Sequence, residues 1–155
     1  MAVMRIVSEI VKIDSDIGTV YRFLSDFTRL GSVLQLAKGM NMGDERIKKF
    51  MDKIEDISFS PDSFTCKLEQ LGNVGVRIAE REEPKLIKME GEGRLPFPFT
   101  VWIQLLEHGG YDTRARITFE GEMNMMLKLM LKGKLEKGIN EFARALTQIP
   151  YSMFS

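Results

Sequence analysis

The side chains that most often carry out protein chemistry, histidine and cysteine, are scarce in this sequence. There is one histidine, His108, and one cysteine, Cys66. A metal site needs several His, Cys or carboxylate ligands brought together, so neither residue can hold a metal by itself. His108 stands beside a Gly-Gly pair and is expected in an exposed turn. Cys66 alternates with Phe64 and Leu68, so it is expected to face inward as a structural thiol. No spacing supports a Cys–His nucleophilic pair.

Carboxylates occur in close pairs, but not where acid–base chemistry would need them. Glu82 and Glu83 fall in a predicted turn, and Glu90 and Glu92 fall on the predicted outer face of a sheet. We therefore interpret all four as solvated. The sequence also lacks a phosphate-binding glycine-rich loop of the usual spacing. These observations predict no catalytic residue, no metal site and no cofactor, and they make an enzyme the less favoured interpretation.

The composition restricts the classes of partner. Lys plus Arg number 22 and Asp plus Glu number 22, so the net charge is zero. Nucleic-acid binding needs a clustered basic surface, so this balance argues against it. A single cysteine allows no internal disulfide, which favours a reducing, cytoplasmic location. The first residues do not resemble a signal peptide, and no run approaches the ~20 apolar residues of a bilayer span, so we predict no integral membrane contact.

The amino-terminal part of the chain predicts one strand followed by two short helices. The β-branched run from Ile6 to Ile13 is typical of a strand. Side chains of residues 14–16 can cap a helix. Its apolar positions recur at helical spacing: Ile17, Val20, Tyr21 and Leu24. A second stripe runs from Phe27 to Ala37 and ends at Gly39. Residues 40–53 have no readable pattern.

From residue 54 the hydrophobic period changes to two, which predicts six consecutive strands. Their segments read "IEDISFS", "SFTCKLEQ", "VGVRIAERE", "KLIKMEGEG", "FTVWIQLLE" and "YDTRARITFEG". Short turns rich in Gly, Pro, Asn and Asp separate them, so neighbouring strands should be antiparallel. Together with the first strand, the predicted sheet has seven strands.

The last segment, from Met123 to Ile149, predicts a long helix stopped by Pro150. One apolar stripe follows its length: Leu127, Leu131, Leu135, Ile139, Phe142, Leu146 and Ile149. Its opening, "MNMMLKLMLKGK", holds four of the eleven methionines. Three interpretations are open for this opening: a membrane-surface helix, plain core, or the wall of a ligand pocket. We favour the pocket wall, because methionine adapts to varied shapes.

This order of elements, with the opening "VSEIVKIDSDIGTVYRFLSD" and the strand "YDTRARITFEG", resembles the START-like (SRPBCC) superfamily, in particular its bacterial single-domain members. The resemblance implies one domain over residues 1–155 with the helix-grip fold of the major birch pollen allergen. That fold is α+β, with an antiparallel curved sheet of seven strands here, wrapped around the long C-terminal helix, and two short helices after the first strand. Members bind lipids or hormones, cyclise aromatic polyketides or act as accessory proteins, so the fold does not define the function.

The function that we predict is binding or carriage of a small hydrophobic ligand in a cavity between the sheet and the final helix. One alternative is an enzyme of polyketide cyclase or dehydratase type, and another is a protein-binding accessory module with no ligand. Alternation along the strands, with the helix and the proline-rich loop, predicts the cavity lining: Phe64, Cys66, Leu68, Val76, Ile78, Ile87, Met89, Phe97, Val101, Ile103, Leu105, Ile117, Phe119, Met126, Leu127 and Met130.

The proline-rich loop "GRLPFPF" is expected to border the cavity entrance. Pro96 and Pro98 impose extended geometry, so Leu95, Phe97 and Phe99 cannot all turn into the core. We expect one or two of these three side chains at the rim of the cavity. The alternative is that they plug the end of the core.

Alternation also predicts a polar outer face with one aromatic residue on it. Thr100, Trp102 and Gln104 point outward on one strand, and Arg114 and Arg116 point outward on the next. We expect an arginine to lie over the Trp102 ring in a cation–π contact. The alternative is that Trp102 marks a homodimer or partner interface, because aromatic residues are enriched at interfaces.

Overall fold

The computed structural model describes residues 2–32, 54–68, 72–93 and 95–154. It is an α+β fold with a curved antiparallel sheet, two short helices early in the chain and a long C-terminal helix. This is the fold class that the sequence predicts. Two of the predicted segments, 33–39 at the end of the second helix and the unreadable 40–53, lie outside the described residues.

The described sheet has eight strands, one more than predicted. They are β1 Ala2–Val7, β2 Val11–Ile13, β3 Ile54–Phe59, β4 Ser63–Leu68, β5 Gly72–Glu82, β6 Leu86–Gly93, β7 Phe99–Gly109 and β8 Asp112–Met123. Their order across the sheet is β1-β8-β7-β6-β5-β4-β3, and β2 also pairs with β8. The six strands from β3 to β8 form the predicted antiparallel meander.

The additional strand arises because the predicted first strand is interrupted at Ser8. The Ser8 backbone N–H donates to the Ile117 carbonyl at 2.8 Å, and the Ser8 hydroxyl accepts from the Ile117 N–H at 2.8 Å. The side chain thus takes over one ladder bond while the backbone of residues 8–10 departs from the strand. The prediction of a single strand from Ile6 to Ile13 was wrong in this respect, because a buried serine can replace a backbone partner.

The two short helices follow β2 as predicted. α1 spans Ile17–Leu24, and its N-cap Asp16 accepts a hydrogen bond from the Thr19 backbone N–H at 3.0 Å. The second helix, α2, is described from 27 to 32. Asp26 caps it in the same way, by accepting from the Thr28 N–H at 2.9 Å. These capping carboxylates satisfy backbone donors that a helix leaves unpaired at its start.

The long C-terminal helix, α3, spans Met125–Leu146, and a short 3₁₀ helix follows at Tyr151–Phe154. Asn124 caps α3 by accepting from the Leu127 N–H at 2.8 Å. The backbone of α3 approaches β1, β8 and β2 most closely, so the helix lies towards one edge of the sheet. Within the described residues, no helix has the length and apolar character needed to cross a membrane.

Two apolar clusters lie beneath the helices. The larger core contains side chains from α1, the end of α3 and strands β2 and β5–β8, for example Phe23, Leu146, Ile13, Ile87, Ile103 and Ile117. The smaller core contains Met4, Ile6, Phe119 and Met123, under the first half of α3. Val101 and Ile139 are half-buried and contact both cores, so they mark the region between them.

The proline-rich loop closes one end of the inner face over two glycines. A Cβ atom at Gly91 would come within 2.6 Å of the Phe99 ring, and one at Gly121 within 3.1 Å of the Phe97 ring. The missing side chains therefore make room for the two rings. Phe97 also meets Phe119 edge to face, with ring centroids 6.3 Å apart. Phe97 is half-buried, and it packs on the smaller core.

Candidate functional site

Most residues of the predicted cavity lining do lie on the inner face of the sheet. The buried ones are Cys66, Ile78, Ile87, Met89, Ile103, Leu105, Ile117 and Phe119. The half-buried ones are Phe64, Val76 and Val101 on the sheet, with Phe97 in the proline-rich loop and Leu127 on α3. Leu68 pairs through its backbone with Ile54 and Gly72, and its side chain lies outside the described part. The strand side chains therefore lie on the face that carries the apolar cores, and their role as the lining of a cavity stays a prediction.

Met126 and Met130 were assigned to the lining and do not belong to it. Met126 is 72% exposed and Met130 is 64% exposed. The side of α3 that packs on the sheet carries Leu127, Leu131 and Leu135 instead. Because successive residues turn by about 100° around a helix, each methionine lies that far from the leucine that follows it. The helix presents one narrow stripe to the sheet, and both methionines fall outside it.

The distribution of burial along the inner face suggests where a ligand could lie. Both ends are closed, by α1 and Tyr151 at the larger core and by the proline-rich loop at the smaller core. Between them, Val101, Leu135 and Ile139 face the interior and yet stay half-buried. Protein interiors are close-packed, so the centre of a helix–sheet contact should be its most buried part. Here Val101, Leu135 and Ile139 are only half-buried, and so are Leu127 and Leu131 nearer the start of α3, so the chain leaves this apolar stripe partly uncovered.

The inner face is apolar, and its polar groups already have partners. The Thr113 hydroxyl donates to the Ser15 carbonyl at 2.8 Å, and the Tyr151 hydroxyl donates to the Leu146 carbonyl at 2.6 Å. Burial raises the pKa of the Tyr151 hydroxyl well above its ordinary value. Across the described residues, no buried side-chain nitrogen or oxygen lacks a hydrogen-bond partner. We therefore identify no general acid or base on this face.

The lone cysteine and the lone histidine behave as predicted. Cys66 is 7% exposed, and burial raises the pKa of its thiol. Its neutral form is a poor nucleophile. His108 is exposed, with Nδ1 3.2 Å from Asp112 Oδ2 at the β7–β8 turn. Among the residues that the structure describes, no group of three or more His, Cys, Asp or Glu side chains could hold a metal ion.

Asp112, at the β7–β8 turn, has a carboxyl whose pKa is well below its ordinary value. Hydrogen bonds from the Arg114 guanidinium, at 2.8 and 3.0 Å, lower the pKa of Asp112 to about 2. A lowered pKa adds stability above the ordinary value of 3.8, and that stability is lost as the pH falls through about 2. A carboxyl-detected NMR titration should therefore find a pKa near 2 for Asp112.

The variant Arg114→Gln should move the Asp112 pKa back towards its ordinary value of 3.8. Arg116→Gln is the matched control, because its guanidinium donates to Gln104 Oε1 at 2.7 and 3.0 Å instead. It should leave the pKa of Asp112 unchanged. An Asp112 pKa that ignores Arg114→Gln would contradict the assigned cause.

Two predictions for the outer face of the sheet need correction. The cation over the Trp102 ring is Lys88, whose Nζ lies 6.0 Å from the ring centroid, and Arg116 bonds to Gln104. Lys88 is directly opposite Trp102 in the β6–β7 register. Glu90 and Glu92 do lie on the outer face, but they share Arg77, at 2.7 and 2.8 Å, and are not simply solvated.

Clefts also open on the outer face. One of about 330 Å³ is lined by Val3, Glu90, Gly91, Pro98, Phe99, Thr100, Glu120 and Glu122. A smaller one of about 160 Å³ is lined by Trp102, Arg5 and Glu120, among others. Both mix charged and polar side chains with apolar ones, and Arg5 Nη1 is already bonded to Glu120 Oε1 at 2.8 Å. They do not have the apolar lining that pockets for hydrophobic ligands usually have.

Comparison with known proteins places this geometry in a fold class. No family model matches the sequence. No curated protein matches it. Solved structures do match. Norcoclaurine synthase from Thalictrum flavum, in complex with dopamine and hydroxybenzaldehyde, superimposes with a TM-score of 0.65 and 10% identity, over 95% of this chain and 86% of that one. A START superfamily protein from Mycobacterium smegmatis has a TM-score of 0.53 and 13% identity, over 94% and 97% of the two chains.

A third similar structure is a putative protein of the dynemicin biosynthetic locus. Its TM-score is 0.57 at 13% identity, over 93% of this chain and 46% of that one. The chain therefore has the START-like, helix-grip fold, as the resemblance in the sequence predicted. At these identities the likeness establishes the fold alone, and the fold hosts several functions.

Proposed function

We propose that the protein binds a small hydrophobic molecule between the inner face of the sheet and α3. The observation that carries this proposal is the half-buried centre of the helix–sheet contact. Val101 and Ile139 touch both cores and belong to the buried part of neither. A ligand at this place would cover apolar surface that the chain itself leaves partly uncovered. At about 25 cal/mol per Å² of apolar area, covering it stabilises the complex.

The chemistry of the lining favours an uncharged, apolar or aromatic ligand. Phe64 and Val76, paired across β4 and β5, are half-buried and apolar. Leu131 and Leu135 of α3, which pack on the smaller core, are apolar and half-buried as well. A charged ligand would lose its hydration without gaining a partner here. The buried Cys66 thiol also suits a reducing cytoplasm, which is where we propose that the protein acts.

The enzyme alternative has support from the comparisons. One similar structure is norcoclaurine synthase, and another is a protein of a biosynthetic locus. An enzyme of that kind needs a polar group in the cavity with a suitable pKa. Because the buried polar side chains of the described inner face are hydrogen-bonded within the chain, we favour binding without a reaction. A protein-binding accessory module, with the space filled, is the third alternative.

Native mass spectrometry of freshly purified protein tests the proposal. We expect a species heavier than the 17.8 kDa chain by the mass of one small molecule, which organic extraction should remove. The stripped protein should then bind a neutral apolar dye, N-phenyl-naphthylamine, with one saturable site. A single mass equal to that of the chain, together with no saturable dye binding, would overturn the proposal and favour the accessory module.

A further inference from the structure

The first half of α3 carries an apolar surface that the fold leaves uncovered. Met125, Met126, Leu129 and Met130 are 59%, 72%, 75% and 64% exposed. Single exposed apolar residues are common on proteins, but four within six consecutive residues form a contiguous patch. We call these four residues the methionine patch. The sheet-facing stripe of the same helix is a separate surface.

The methionine patch points away from the body of the protein. At about 100° per residue, its four side chains span an arc of about 140° around the helix. The centre of that arc lies nearly opposite Leu131, which packs on the smaller core. Gly133 follows one turn later on the same side, is exposed, and has no atom within 4 Å of where its Cβ would stand. The patch is therefore a solvent-exposed apolar surface, and no side chain stands beside it at Gly133.

Within the helix segment that carries the patch, the charges are all of one sign. Residues 125–135 include three lysines and no Asp or Glu, in a chain whose overall net charge is zero. Lys132 and Lys134 are exposed and flank the arc on its two sides. Lys128 is half-buried, and its Nζ lies 3.4 Å from the Val3 carbonyl oxygen, at the edge of β1. Exposed Lys137 adds a further positive charge, and exposed Glu122 and Glu136 are the acidic residues that bracket the segment.

We propose that this half of α3 docks in the plane of a membrane whose surface is rich in anionic phospholipid. The methionine patch would enter the boundary between headgroups and acyl chains, while the lysine stems extend outward to the phosphates. Flexible methionine side chains suit a fluid surface that has no fixed shape. A second copy of the chain fits less well, because its own three lysines would meet those of the first. This inference goes beyond the proposed function, since docking needs no occupied cavity.

Vesicle co-sedimentation with the whole chain tests the docking. Protein should sediment with vesicles that contain about one-third phosphatidylserine and should stay in solution with phosphatidylcholine alone. Binding should weaken as salt is added, because salt screens the lysines. Leu129→Asp should lower the partition coefficient at least roughly tenfold. Leu106→Asp is the matched control, because Leu106 is 66% exposed on β7 and should not contact the vesicle.

The charge contribution is tested by a second pair of variants. Lys132→Glu with Lys134→Glu should abolish the preference for anionic vesicles. Lys12→Glu with Lys85→Glu changes the net charge equally at exposed sites on β2 and the β5–β6 turn, and it should retain binding. Leu129→Trp adds a local reporter, whose emission should shift to the blue and be quenched by lipids with brominated acyl chains. Leu106→Trp should show neither change.

Several results would overturn the inference. Equal binding to neutral and anionic vesicles would do so, and so would equal loss in the Leu129 and Leu106 variants. A concentration-dependent dimer that Leu129→Asp dissociates, without vesicle binding, would assign the patch to a second copy. Failure to bind any vesicle would end the proposal. None of these results depends on whether a ligand is retained in the cavity, so the two proposals fail separately.

Discussion

Replacing Phe23 by alanine should lower the free energy of unfolding by about 3–5 kcal/mol, the usual cost of deleting a buried phenylalanine ring. Phe23 is 1% exposed and holds α1 against the sheet. Its ring meets that of Tyr151 edge to face, with centroids 5.3 Å apart. The same side chain therefore joins α1 to the segment after α3, and its loss loosens both. Urea unfolding followed by circular dichroism measures the effect.

The Tyr151→Phe variant separates the two contributions at this contact. It keeps the ring against Phe23 and removes the hydroxyl that donates to the Leu146 carbonyl. That change should cost about 0.5–1.5 kcal/mol, as expected for one hydrogen bond. A double-mutant cycle of Phe23→Ala with Tyr151→Ala, which removes the second ring, should give a coupling of about 0.5–1.5 kcal/mol. A cost below about 1 kcal/mol for Phe23→Ala would show that α1 is not closing this end of the core.

The fold could be predicted from the sequence because its local signals agree with each other. Alternation from residue 54 to residue 121 assigns an inner face, and short turns make neighbours antiparallel. The long helix follows from one stripe at helical spacing. The break at Ser8 could not be predicted in this way. It depends on a hydrogen bond between Ser8 and Ile117, and those residues are far apart in the chain.

The site was less predictable than the fold, and α3 shows the reason. In its first half, two apolar stripes lie side by side, one with Leu127 and Leu131 and the other with Met126 and Met130. Periodicity alone cannot tell which stripe faces the sheet. The choice depends on how the helix sits over β1, β2 and β8. The leucines face inward, and the excess apolar surface becomes the methionine patch.

The position of Lys88 over the Trp102 ring could have been predicted from the sequence. Trp102 faces residues of both neighbouring strands, and the prediction considered only the arginines of β8. Across the β6–β7 hairpin the register pairs Lys88 with Trp102. When β6 and β7 are paired symmetrically about Leu95, in the loop that joins them, Lys88 falls opposite Trp102. Directly opposite residues on one face of a sheet make the closest side-chain contacts.

Enlarging Val101 to phenylalanine should weaken binding of N-phenyl-naphthylamine at least roughly tenfold, because the larger ring would occupy the space that we assign to the ligand. The cost in stability should be small. Val101 lies on the inner face of β7 between the two cores, where the chain leaves it half-buried. A fully packed site would instead have to shift to accept the ring. The dye is uncharged, so the lysines of α3 do not attract it.

Ile103→Phe is the matched control, two residues further along the same strand. Ile103 is 2% exposed within the larger core, where overpacking usually costs about 1–3 kcal/mol. It should lose stability without a comparable loss of dye binding. Fluorescence titration and urea unfolding of both variants decide between the alternatives. If Val101→Phe loses as much stability as Ile103→Phe and binds dye as the parent does, the centre of the inner face is solid core. The methionine patch would still be exposed on α3 and open to a lipid surface.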